Sequence, residues 1–203
     1  MSKGFLLVVS GPSGCGKGTI CKELLRRNKD LIFSVSATTR KPRIGEVDGK
    51  NYFFIDKEKF DSMVARGEFL EYANVHNNSY GTPKKFVIDN IGKGEIVLLE
   101  IDVQGALQIK SVYPEAVFIF ILPPSMEELK NRIIKRGTET KKDIDIRLKN
   151  ALKELKFVDE YDYFVINDKV SDAVENIEAI ITAERLKVKR HKNLLKKINI
   201  QEG

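Results

Sequence analysis

The stretch that decides the fold is Gly11-Pro12-Ser13-Gly14-Cys15-Gly16-Lys17-Gly18-Thr19. It fits G-x-x-x-x-G-K and stands between a short apolar run, Phe5–Val9, and a segment in which Ile20, Leu24 and Leu25 recur at helical spacing. Strand, glycine loop and helix in that order are the setting of a phosphate-binding loop. Glycines let successive backbone N–H groups turn toward one phosphate, and the helix N-terminus adds partial positive charge. Lys17 supplies a mobile cation for β- and γ-phosphates. Gly18 follows Lys17 where a Ser or Thr commonly offers Mg²⁺ a hydroxyl, so the metal falls to Thr19, to a distant acid such as Asp102, or to nucleotide oxygens and water.

Working outward, Leu31–Ser36, Ile96–Ile101, Val117–Leu122 and Phe164–Ile166 read as further strands. Between them lie helical patterns. Thr82 with Pro83, Ser125 with Glu128, and Ser171 are placed to open helices, the second running through Arg136. Asp143–Leu155 is helical after a polar break at Gly137–Lys142. This alternation predicts an α/β fold with a parallel sheet covered on both faces. Residues 33–93 differ. Ala37–Gly49 is a polar, basic loop, Tyr52–Ile55 and Phe69–Val75 are β-like, and Asp56 caps a short helix. This part reads as an inserted, mostly antiparallel subdomain.

The chain has 203 residues, 42% hydrophobic and 32% charged, enough for one compact domain with insertions. The first apolar run is too short for a signal sequence, and no stretch approaches the ~20 apolar residues of a membrane span, which points to the cytoplasm and away from membranes. Two cysteines, Cys15 and Cys21, exclude a disulfide framework, and His76 and His191 lack metal-site spacing. The net charge of +6 suits nucleic acid or nucleotides. Much of it lies in candidate phosphate sites and the rest in Lys187–Lys197, which reads as a solvated helix end or part of a dimer contact. With no aromatic-rich strand of an RNA-binding type, no nucleic-acid partner is expected.

Four further groups carry chemistry. Ser36 to Arg43, followed by Tyr52, offers two guanidinium forks, Arg40 and Arg43, and a hydroxyl donor to a second phosphate; a solvated basic loop is the plain alternative. Glu71, with Tyr80 and Thr82 downstream, is an acceptor-only group that suits the adjacent N1–H and N2 donors of guanine; alone, it is equally a surface glutamate. Glu100 and Asp102 end a buried strand where a metal-side acid or a simple helix cap would stand. Arg132 and Arg136 share a helix face, with Arg147 on the next helix; they suit a migrating phosphoryl group or pairing with Glu128 and Asp143. Cys15 sits beside Lys17 before a helix N-terminus, surroundings that lower a thiol pKa and would make it reactive if it is more than a filler.

Taken together, Gly11–Thr19, Ser36–Arg43 with Gly45 to Gly49, Tyr52 to Phe54, Gly67 to Glu71, Tyr80 to Pro83, Glu100–Gly105, Ile121–Ser125, Arg136 to Thr138, Tyr161 to Tyr163 and Asn167-Asp168 resemble the guanylate kinase family over nearly the whole chain. The resemblance implies a P-loop NTPase core (residues 1–32, 94–124 and 156–203), a GMP-binding subdomain (33–93) and a helical lid (125–155). It implies transfer of the γ-phosphoryl group of ATP to GMP, with Mg²⁺ accompanying ATP, in a monomer or homodimer. ATP would be held by Gly11, Ser13, Gly14, Cys15, Gly16, Lys17, Gly18, Thr19, Arg132, Arg136, Asn167 and Asp168. GMP would be held by Ser36, Arg40, Arg43, Tyr52, Glu71, Tyr80, Thr82, Glu100, Asp102 and Arg147. Lys17, Arg43, Arg136 and Arg147 match the family's catalytic positions. The rivals are a related phosphopeptide-binding module without catalysis, whose P-loop would be damaged where this one is intact, and a P-loop kinase for another phosphorylated acceptor.

Overall fold

The computed structural model describes residues 4–75, 78–134 and 141–191. Its centre is β1 (Phe5–Ser10), every residue of which is buried. The strand's alternation serves two faces at once. Phe5, Leu7 and Val9 point into one apolar cluster, and Leu6 and Val8 point into another. Each such side chain, fully withdrawn from water, contributes about 1.5–3 kcal/mol. Around β1 a five-stranded parallel sheet is ordered β2 (Leu31–Phe33), β7 (Ile96–Glu100), β1, β8 (Val117–Leu122), β9 (Tyr163–Ile166). One face is covered by α1 (Lys17–Arg27) and α7 (Val170–Leu186), through Ile20, Leu24, Val174 and Ile177. The other is covered by α3 (Lys84–Gly92) and α4 (Val103–Val112), through Val87, Ile91, Ala106 and Ile109. The parallel α/β architecture expected from the apolar runs is present.

A second sheet of four strands is ordered β4 (Phe53–Phe54), β3 (Ala37–Thr38), β6 (Asn78–Pro83), β5 (Phe69–Val75). Its β3–β6 and β5–β6 pairs are antiparallel and β3–β4 is parallel. It has its own small core, in which Phe60 of α2 (Lys57–Ala65) stacks on Phe69 at 4.7 Å between ring centres. The register of β5 shifts between Phe69 and Tyr72. That irregularity sends three neighbours to three places: Phe69 to this small core, Leu70 to the central one, and Glu71 to the cavity between them. By its packing, α3 belongs with the central sheet although it lies inside residues 33–93.

Several local expectations change. Leu31–Ser36 is no continuous strand; β2 stops at Phe33, and β3 lies inside the stretch read as a loop. Thr82 is not a helix cap. It is the buried penultimate residue of β6, and Pro83 takes the N-cap position without a side-chain bond. Ser171 lies inside α7, where its hydroxyl bonds Asp172. Asp56 and Ser125 do cap, accepting from the N–H groups of Lys59 and Glu128. Of the basic segment Lys187–Lys197, residues 192–197 lie outside the described residues, and the described part is not simply solvated. Arg190 is buried, donates to the buried Glu184 at 2.7 Å and stacks 4.3 Å above the Phe5 ring, while Lys187 also pairs with Glu184. No helix among the described residues is long and apolar enough to cross a membrane.

Candidate active site

The phosphate loop leaves the carboxyl end of β1, the edge of a parallel sheet where ligands bind. Gly11 has φ +141°, and a Cβ there would stand 2.4 Å from the Ile121 carbonyl oxygen. Gly16 has φ +88°, and a Cβ would stand 2.4 Å from Nδ2 of Asn167. The glycines are therefore demanded by both conformation and close approach. Gly16 is the N-cap of α1 and offers no side chain, which leaves the first-turn N–H groups available to an anion. Lys17 arches back over the loop, its Nζ donating to the carbonyls of Gly11 at 2.6 Å and Pro12 at 3.1 Å.

A cavity of about 340 Å³ opens beside this amine. Lys17, Ser36, Tyr52, Glu71, Ala73, Tyr80, Glu100, Ile101 and Asp102 line it, so the loop and the second sheet face one space. Glu71 is only 7% exposed. Its Oε1 accepts from the buried Thr82 hydroxyl at 2.7 Å. Burial pushes the Glu71 carboxyl up to about 7; the Thr82 hydrogen bond opposes the rise and the Asp102 charge adds to it. The other oxygen, Oε2, lies 3.0 Å from where a Cβ on Gly105 would be, so that glycine makes room for it.

The basic loop is organised by a carboxylate. Glu46 takes two bonds from Arg40, Nη1 at 2.9 Å and Nη2 at 2.8 Å, and one from the Arg43 backbone N–H at 2.7 Å. Its hydrogen bond from Arg40 holds the Glu46 carboxyl down to about 2. The Arg40 guanidinium also lies 5.5 Å from the centre of the Tyr52 ring, and Tyr52 meets Tyr80 edge-on at 5.9 Å. Arg40, Tyr52 and Tyr80 thus form one group, while Arg43 is exposed beside it.

The two readings of Asp102 meet here. Its Oδ1 caps α4, accepting from Gly105 N–H at 2.8 Å, and the residue still lines the cavity. Glu100 also lines the cavity, and its Oε1 would be 3.4 Å from a Cβ on Gly18. A carboxylate therefore stands next to the loop position that lacks a hydroxyl. Thr19 is exposed and lines a separate groove with Lys22, Val170 and Ser171, so it is not brought to these acids.

At the phosphate loop, Asn167 donates from Nδ2 to the Cys15 carbonyl at 2.7 Å, and its own backbone carbonyl accepts from Arg132 at 2.9 Å. Arg132 also pairs with Glu128 at 2.7 Å. These two residues brace the loop from beneath, and Asp168 is exposed beside them. Arg147 is half-buried on α6 (Lys141–Leu155), and Arg136 lies outside the described residues. Cys15 corrects an expectation. It is fully buried, and that burial raises its thiol pKa despite Lys17.

Two contributors escaped the reading of the sequence. Glu46 stood only inside a family pattern; its place three residues after Arg43 was the available signal. Glu154, near the end of α6, accepts from the Ser13 backbone N–H of the phosphate loop at 3.3 Å. No local pattern announces such a contact across 141 residues.

Comparison with known proteins gives one family. The guanylate kinase family model matches residues 3–184. A guanylate kinase of Clostridioides difficile is 60% identical over 195 residues, covering 96% of this chain and 95% of that one. One from Caldanaerobacter subterraneus is 59% identical over 196 residues, covering 97% and 95%. The crystal structure of guanylate kinase from Anaplasma phagocytophilum superposes with a TM-score of 0.80 at 38% identity, covering 99% and 98%.

Proposed function

The chain belongs to the guanylate kinase family and is an ATP:GMP phosphotransferase, and we propose that the cavity between the phosphate loop and the second sheet is where GMP meets the γ-phosphoryl group of ATP. The observation that carries this is the single 340 Å³ space with Lys17 in one wall and the buried Glu71 in another. In this reading Glu71, with Ser36 and Thr82, reads the guanine base. A carboxylate accepts from both N1–H and the N2 amino group, a pair that adenine lacks. Arg40, Arg43, Tyr52 and Tyr80 take the GMP phosphate, with Glu46 holding the first two in order. The loop from Gly11 to Thr19 takes the ATP phosphates, with Asn167 and Arg132 supporting it and Asp168 toward the base.

Mg²⁺ belongs with ATP in this reading. The residues fit it: no group of three or more His, Cys, Asp or Glu forms a closed metal cage among the described residues, but Glu100 beside Gly18 and Asp102 in the same cavity offer hard oxygen donors. That suits an ion that keeps its waters and takes most ligands from phosphate oxygens. These two acids, rather than Thr19, would hold it, and when bound it neutralises phosphate charge.

The acceptor oxygen of GMP is already anionic, so no general base is required. The chain's own task is to align the acceptor with the γ-phosphorus and to bring cations to the transferred group, the role assigned to Lys17, Arg43, Arg136 and Arg147. The test is ADP formation from ATP with GMP, AMP, CMP or UMP as acceptor. GMP is expected to be strongly preferred. Turnover only with another acceptor would move the base-reading role away from Glu71.

A further inference from the structure

We infer that Glu154 is a positioning residue: its carboxylate anchors the C-terminal end of α6 to the phosphate loop and thereby aims Arg147, two turns back on the same helix face, at the transferred phosphoryl group. The inference rests on the proposed role of Arg147.

The contact is specific. Glu154 Oε2 accepts the Ser13 backbone N–H at 3.3 Å, so a side chain of α6 satisfies a main-chain donor of the loop itself. Positions 147, 151 and 154 are four and three residues apart and share one face of α6, spread over about 10 Å of its length. Ala151, between them, is fully buried against Leu129 and Ile133 of α5 (Met126–Ile134). Those two side chains also flank Gly14, where a Cβ would come within 3.0 Å of Ile133 and 3.2 Å of Leu129. The helix pair therefore meets the loop twice, through apolar contact at Gly14 and through the Glu154 bond at Ser13. With Ala151 packed and Glu154 fastened, rotation of α6 about its axis is stopped. The face of α6 that carries Arg147 is thereby held in one orientation relative to the loop.

A carboxylate beside a phosphate-binding loop opposes the anion it awaits. Burial lifts the Glu154 carboxyl above its ordinary range, and the Ser13 N–H and the Lys17 charge pull it back. If Glu154 were only an incidental charge there, removing it would tighten ATP binding and leave the chemical step alone. An anchor behaves in the opposite way, because small misplacement of a catalytic cation costs rate more than affinity.

The experiment measures kcat and KM for ATP and GMP in the parent, Glu154→Ala, Glu154→Asp, Glu154→Gln, Arg147→Ala and the Glu154→Ala/Arg147→Ala double variant, with thermal melts of each. Glu154→Ala is expected to lower kcat about tenfold or more with both KM values within about twofold. Glu154→Asp keeps the charge but not the reach and should lose kcat likewise, which preserves the test if the alanine variant does not fold. Glu154→Gln keeps an oxygen that accepts from Ser13 and should restore most of the rate. In the Arg147→Ala background the Glu154→Ala change should add nothing. Parental kcat in Glu154→Ala and Glu154→Asp, or losses that multiply in the double variant, would overturn the inference while leaving the role of Arg147 standing. Parental kcat in Arg147→Ala would remove that role and the inference together.

Discussion

Replacing Glu71 by Gln should stabilise the ligand-free protein and damage the enzyme. The carboxyl sits near pKa 7 in the folded protein against an ordinary value of 4.5. The folded state thus binds this proton more tightly than the unfolded one. The sign follows: the stability linked to Glu71 is fully present below about pH 4.5 and is lost as pH rises through 7. At about 1.36 kcal/mol per pH unit, the gap corresponds to a loss of about 3 kcal/mol once the carboxylate is ionised. Glutamine does not titrate. Its oxygen can keep the Thr82 bond, and its amide can face the Asp102 carboxylate, whose charge now opposes ionisation. The variant should therefore melt higher at pH 8 by about 6–12 °C, at roughly 2–4 °C per kcal/mol for a chain of this size, and the difference should be several-fold smaller at pH 5. Catalysis goes the other way. One amide oxygen cannot accept from both guanine donors, and the amide N–H₂ opposes one of them. An unpaired buried donor plus a lost charged acceptor costs about 3 kcal/mol, or roughly 10²-fold in kcat/KM for GMP. In the parent, KM for GMP should also rise below pH 7 as Glu71 takes up its proton, a limb missing from the variant; titration of GMP itself cancels in the ratio. Melting curves at pH 5 and 8, with kcat/KM for GMP and AMP, check all of this. An equal melting shift at both pH values would refute the electrostatic account. An unchanged GMP:AMP ratio would refute the base-reading role and return it to Ser36, Thr82, Glu100 or Asp102.

Lys17→Ala should leave a folded protein whose transfer rate falls at least about 10²–10³-fold, measured as ADP release with saturating nucleotides; near-parental turnover would remove the phosphate loop from the reaction. Arg40→Ala removes the guanidinium that Glu46 and the Tyr52 ring hold in place, and should raise KM for GMP about 10–100-fold with KM for ATP unchanged. A parallel rise for ATP would place Arg40 outside the acceptor site. Cys15, being fully buried with a raised thiol pKa, should resist alkylation in the folded protein at neutral pH, with ATP making little difference. Rapid, ATP-protected labelling at Cys15 by mass spectrometry would reverse that.

The parallel sheet was legible because its strands are buried on both faces and so spell unbroken apolar runs: Phe5–Ser10 is withdrawn from water along its whole length. The phosphate loop was legible because backbone geometry forces glycine at Gly11 and Gly16. What the sequence concealed are residues whose meaning depends on a distant partner. Cys15 carries the local signs of a reactive thiol beside Lys17, but the packing that buries it outweighs that charge. Glu154 carries no sign at all, since its partner is a main-chain N–H on the loop that opens the chain. Thr82 and Asp102 are the instructive pair. Both are residue types that begin helices, and both stand just before one. Thr82 leaves the cap to Pro83 because its hydroxyl is committed to the buried Glu71 carboxylate. Asp102 caps and lines the cavity together. The Gly105 N–H bond fixes its rotamer, and a fixed rotamer is what a carboxylate needs in order to press its charge on Glu71 from a constant position. Capping and function are therefore not rival explanations of Asp102; the cap is the means by which the cavity acquires an acid of defined orientation.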